Sequence, residues 1–100
     1  MRGLLSVTQA RPAPALALDQ PWGLNPQVAL RDESFGALAY HYGNRRLVFL
    51  KSRLLVELVS ALEEYDTAAD AIAAIVPEQQ RGAYGRALLR LAESEVIGAR

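Results

Sequence analysis

The sequence predicts an α+β domain in which a three-stranded antiparallel meander precedes three helices. Three observations carry this. Apolar and polar residues alternate in short runs up to Lys51. From Ser52 onward the apolar positions recur at a spacing near 3.6 instead, the period of a helix with one buried face. Between two of the alternating runs stands Gly43-Asn44, a pair suited to a two-residue primed hairpin turn. Strands first and helices afterwards, with no alternation between them, are the pattern of an α+β layer arrangement.

The elements follow in order. Residues 1–18 carry Arg2, Arg11, Pro12 and Pro14 amid Ala and Leu. The run Leu4-Leu5-Ser6-Val7 stops at Thr8-Gln9, short of the apolar core of about 7–15 residues that a secretory signal needs. No run reaches the roughly 20 apolar residues of a membrane span. A disordered N-terminal tail over residues 1–18 and a single domain over residues 19–100 are expected, in the cytoplasm. Asp19 to Pro26 reads as an extended lead-in anchored by Trp22. Gln27 to Arg31 alternates, with Val28 and Leu30 on one face, and Asp32-Glu33-Ser34 is a polar connector. Ala37 to Tyr42 and Arg45 to Lys51 form the hairpin. In its register Leu38 and Tyr40 share a face with Leu47 and Phe49, while Ala37, Ala39, His41, Val48 and Leu50 take the other. The first face holds the larger residues and is expected to be the core face; a slip of one residue reverses that assignment.

Ser52 suits an N-cap. The first helix is expected from there to Tyr65, with Leu55, Leu58, Val59 and Leu62 as its buried stripe. Thr67 starts a second helix, with Asp70 as a capping-box-like partner and Ile72, Ala73 and Val76 on its apolar face. Pro77 ends it and suits the first turn of a third helix. That helix is expected to run to about Val96, with Tyr84, Ala87, Leu88, Leu91 and Ala92 inward and Arg81, Arg86 and Arg90 on its flanks.

Composition narrows the chemistry. In 100 residues, 51% of them apolar, ten Arg and one Lys balance eleven acids. Zero net charge argues against a binder driven by phosphate attraction. With no cysteine, disulfides, iron–sulfur clusters and thiolate zinc sites are excluded. His41 alone makes no imidazole cluster, and no elbow motif surrounds a serine. No catalytic, cofactor-binding or metal-binding residues are expected. His41 reads as a hairpin histidine facing solvent or packing on Tyr, Tyr40 and Tyr42 as core or turn packing, and Arg45-Arg46 as a solvated turn. The feature left over is a sheet edge. With the second strand central, the first and third are edges with unpaired N–H and C=O groups. The third, Leu47-Val48-Phe49-Leu50, is uncharged between Arg45-Arg46 and Lys51, and such an edge takes up a peptide by strand addition. The arrangement is also winged-helix-like, so a DNA-binding protein that inserts its third helix into the major groove is the alternative. Zero net charge, and arginines unaccompanied on that helix by Asn or Lys, count against it.

Tyr40-His41-Tyr42-Gly43, then Arg45-Arg46-Leu47, then Phe49-Leu50-Lys51-Ser52 resemble the peptide-binding proteins of mycofactocin biosynthesis, within the wider class of PqqD-like precursor-peptide recognition elements. The likeness covers about Pro21 to Leu62 and is weaker over the third helix. Ser34 stands where these proteins often have a proline before the Phe-Gly pair. The resemblance implies a PqqD-like fold and a non-catalytic peptide chaperone without a cofactor. Its partners would be the leader of a ribosomally made precursor peptide and the radical S-adenosylmethionine maturase to which it presents that peptide, and not nucleic acid or a membrane. It also implies a peptide site between the third strand, at Leu47, Val48, Phe49 and Leu50, and the third helix, at Arg81, Tyr84, Gly85, Leu88 and Leu89.

Overall fold

The computed structural model describes residues 18–100; the tail expected over residues 1–18 lies outside them but for Leu18, which is half-buried against the core. Six elements were anticipated. Val28–Glu33 (β2), Gly36–His41 (β3) and Leu47–Leu50 (β4) form an antiparallel sheet in the order β2-β3-β4. Arg53–Ala61 (α1), Ala68–Ile75 (α2) and Arg81–Glu93 (α3) follow, with single 3-10 turns at Leu62–Glu64 and Glu78–Gln80. The expected caps are in place. The Ser52 hydroxyl accepts from the Leu55 N–H at 3.1 Å, and the Thr67 hydroxyl from the Asp70 N–H at 3.1 Å.

Two strands were not anticipated. Trp22–Leu24 (β1) pairs antiparallel with Ile97–Ala99 (β5), Trp22 opposite Ala99. Residues read as a lead-in, and residues beyond the expected end of the third helix, therefore make a second sheet that ties the two ends of the domain together. The third helix stops at Glu93, short of the expected Val96. The Val96 N–H reaches back to the Leu91 C=O at 2.9 Å and the Glu95 N–H to the Ala92 C=O at 3.1 Å, with Glu95 at φ 64°. This is a Schellman ending, in which glycine usually holds the left-handed position. A glutamate there gives no stop signal.

The strand register of the hairpin is the expected one: Leu38 opposes Phe49, Ala39 opposes Val48 and Tyr40 opposes Leu47. The face assignment is reversed. Ala37, Ala39, His41 and Leu50 are buried, whereas Leu47 and Phe49 are 59% and 56% exposed. The reason is packing distance. Helix α1 lies across β3 and presses Leu55, Leu58 and Val59 onto the sheet. Alanines at positions 37 and 39 give those side chains room, where large residues would overfill the space. Side-chain size was therefore the wrong guide to which face is covered.

The hairpin turn also differs. Five residues, Tyr42 to Arg46, connect the strands. Arg45 rather than Gly43 takes the left-handed conformation, at φ 66°, and its N–H bonds the His41 C=O at 2.8 Å. His41 is buried and organises the loop, contrary to both sequence readings: its Nδ1 accepts from the Gly43 N–H at 3.0 Å and the Asn44 N–H at 3.1 Å. Two donors at that nitrogen place the proton of the neutral ring on Nε2, which lies 3.8 Å from a Glu95 carboxylate oxygen. The Asn25 amide nitrogen, 3.3 Å from Nε2, is a donor and cannot bond a protonated Nε2; it donates to the Glu95 C=O at 3.0 Å.

Candidate peptide-binding edge and groove

The phase of the β3–β4 ladder decides which backbone groups of β4 are free. The His41 N–H bonds the Arg46 C=O at 3.0 Å. Mutually bonded pairs recur at every second residue of an antiparallel ladder, so the next ones are Ala39 with Val48 and Ala37 with Leu50. The intervening residues, Leu47 and Phe49, then direct their N–H and C=O groups away from β3. On the far side of β3 the Tyr42 N–H bonds the Gln27 C=O at 2.8 Å, which is the matching phase for β2. Among the described residues nothing pairs with the outer side of β4.

Beside that edge runs an open groove. One part, of about 300 Å³, is lined by Phe49, Lys51, Ser52, Leu55, Ala83, Tyr84, Ala87 and Arg90. It continues into a second depression of about 270 Å³ that adds Val48, Leu91 and Ser94. Small residues at 83 and 87 on α3 keep the floor low. Tyr84 is fixed by a 2.7 Å hydrogen bond between its hydroxyl and that of Ser52, so the N-cap of α1 and the wall of the groove are one hydrogen-bonded unit. Lys51 and Arg90 supply positive charge and no lining residue supplies negative charge. The Arg31–Glu33 ion pair and the contact of the His41 ring with the Glu95 carboxylate both lie away from the groove.

The expected site residues are brought together only in part. Val48, Phe49 and Tyr84 line the groove. Leu47 opens its backbone to the same edge while its side chain lies on the outer face of the sheet. Leu50 and Leu88 are sealed in the core. Gly85 faces away from the groove: a Cβ there would stand 3.1 Å from Leu18. Leu89 is half-buried outside the lining. Arg81 closes the C-terminal end of α2, its Nε donating to the Val76 C=O at 2.9 Å and a terminal nitrogen to the Ala73 C=O at 3.0 Å, which is a helix-capping role. On α3 the lining residues are instead Ala83, Tyr84, Ala87, Arg90 and Leu91. Sequence reasoning put Tyr84, Ala87 and Leu91 in a stripe and Arg90 on a flank. The missing step was that the side of this stripe toward β4 is left uncovered.

An open antiparallel edge, free backbone groups at every second residue and a lined groove beside it are the features that peptide recognition by strand addition uses. The chain belongs to the peptide chaperone MftB family, whose profile matches residues 21–98. It is 42% identical over 106 residues to the peptide chaperone MftB of Mycobacterium ulcerans (strain Agy99), covering 97% of this chain and 94% of the relative. It is 45% identical over 80 residues to that of Mycolicibacterium smegmatis (strain ATCC 700084 / mc(2)155), covering 79% and 78%. No solved structure matches the chain. Among the described residues no helix is long and apolar enough to cross a membrane.

Proposed function

We propose that the protein is a non-catalytic, cytoplasmic chaperone that binds the leader of a mycofactocin-type precursor peptide along β4 and presents it to a radical S-adenosylmethionine maturase. The observation that carries this reading is the conjunction at β4 of outward backbone groups at Leu47 and Phe49 with a groove lined by α3. Backbone pairing gives affinity with little demand on sequence, and the groove beside it selects side chains. The ladder phase also sets a register. A leader strand pairs its backbone with Leu47 and Phe49. Its residue opposite Val48 then points inward, onto Leu55, Ala87 and Leu91, and is apolar. Lys51 and Arg90, which form no ion pair among the described residues, favour carboxylates flanking that apolar anchor.

A carrier of this kind needs no chemistry of its own; holding substrate and enzyme at once raises the effective concentration of one at the other. The test is a titration of the precursor's leader against Ala87→Glu and Arg90→Glu. Filling the floor, or reversing the charge beside it, should weaken binding by tenfold or more, about 1.4 kcal/mol. The corresponding change on the far edge, Leu30→Glu with its fold verified, should leave affinity unaltered. Unchanged binding by both groove variants refutes the site.

A further inference from the structure

The large apolar side chains left exposed among the described residues are Phe35, Tyr42, Leu47 and Phe49, and all of them belong to one hairpin sheet. With Leu38 and Tyr40 they form the outer face of β3 and β4, opposite the face that α1 covers. No described element packs there. The rings are ordered against one another: Phe35 and Phe49 lie 5.8 Å apart between centroids, and Tyr40 and Tyr42 meet edge-to-face at 4.9 Å. This surface is not the groove. Phe49 belongs to both, standing at the shared border, and Lys51, which lines the groove, also edges the face.

We infer that this outer face is the docking surface for a second, folded protein that presents an apolar patch with an acidic rim, and that under the function proposed above this protein is the maturase. Charge is the first argument. Arg45, Arg46 and Lys51 border the face at both ends of β4 and have no ion-pair partner among the described residues. A second copy of this chain stacked face to face or edge to edge would bring those cations together. In an antiparallel pairing centred on Val48, Arg45 would stand opposite Lys51, and like charges directly opposed in a sheet are unfavourable. Size is the second argument. Strand spacing and rise give roughly 10 Å by 15 Å of sheet, or a few hundred Å² with side chains. Patches of that size on small monomers are commonly functional, and they fall at the weak, transient end of protein interfaces. Geometry is the third. A leader on β4 would extend the same sheet, so a protein docked on the outer face touches carrier and bound peptide together, and residues of the leader opposite Leu47 and Phe49 project onto that side.

The experiment measures binding of the purified maturase and, separately, of the leader peptide to the full chain and its variants. Leu38→Glu, at the centre of the face, should weaken maturase binding by about tenfold or more, as the loss of a central anchor does, and leave leader binding within twofold. Tyr42→Ser, in the exposed turn, gives the same separation without touching a strand. Arg90→Glu should show the opposite pattern. Maturase affinity unchanged by both face variants overturns the proposal while leaving the leader site intact. Failure of the unmodified chain to bind the maturase overturns both the inference and the handoff. Self-association, or binding to anionic vesicles, that the face variants abolish while maturase binding persists reassigns the face to a second copy or to a lipid surface and overturns the proposal.

Discussion

Proline placed at adjacent positions of β4 tests the ladder phase on which the edge assignment rests. The Val48 N–H is turned toward Ala39, and the Leu47 N–H is turned outward. Val48→Pro therefore removes a ladder bond and leaves the C=O of Ala39, which is 1% exposed, without a donor. An orphaned buried acceptor costs about 1–3 kcal/mol, and the ring at a bonded strand position adds steric cost. Against a total of about 5–15 kcal/mol, the expected result is a large fall in the urea midpoint. Leu47→Pro loses no ladder bond. It should stay folded and weaken leader binding, because one backbone donor, worth about 0.5–1.5 kcal/mol net, no longer faces the peptide; that is roughly 2- to 13-fold in Kd. Urea unfolding followed by circular dichroism, with leader titration of the folded variants, reads both quantities. Equal stability of the two variants refutes the phase, and a Leu47→Pro protein that is folded and binds normally refutes the use of that N–H.

The remaining predictions concern the scaffold. Leu58 is fully buried on the face of α1 toward the sheet, so Leu58→Ala should cost roughly 2–5 kcal/mol by cavity formation, read as a lowered denaturation midpoint. Gly36 sits at φ +147°, and a Cβ there would stand 2.1 Å from the Leu50 C=O oxygen; Gly36→Ala should break the start of the β3–β4 ladder, seen as loss of hydrogen-exchange protection at the Ala37 amide. Replacing His41 by Phe leaves the Gly43 and Asn44 N–H groups without their acceptor and should destabilise by about 1–3 kcal/mol, while ¹⁵N spectra of the unmodified chain should show that the tautomer of the uncharged ring carries its proton on Nε2.

Much of this molecule is written in local signals. Ser52 and Thr67 announce helix starts, and the alternation across residues 37–50 sets the cross-strand pairing. What was not legible depended on distant partners. The β1–β5 sheet joins Trp22 to Ala99, and three residues at each end carry no alternation long enough to read. Glu95 ends α3 in a left-handed conformation that its residue type does not advertise. The face of the hairpin was misread because the alanines of β3 are small for the sake of α1, a fact of packing and not of hydrophobicity. Arg81 and Arg90 look alike in sequence, nine residues apart on one helix. Only the position of α2 shows that Arg81 is consumed as a cap while Arg90 faces the groove. The edge strand itself was legible because its uncharged centre lies between cations.

The central claim is that a peptide becomes the next strand beside β4. Intermolecular nuclear Overhauser effects in a complex of labelled protein and unlabelled leader test it most directly. The account predicts contacts from the amide protons of Leu47 and Phe49 to the leader backbone, with side-chain contacts from one leader residue to Ala87 and Leu91. Contacts from Leu30 and Asp32 on the far edge instead, with Leu47 and Phe49 silent, would contradict it.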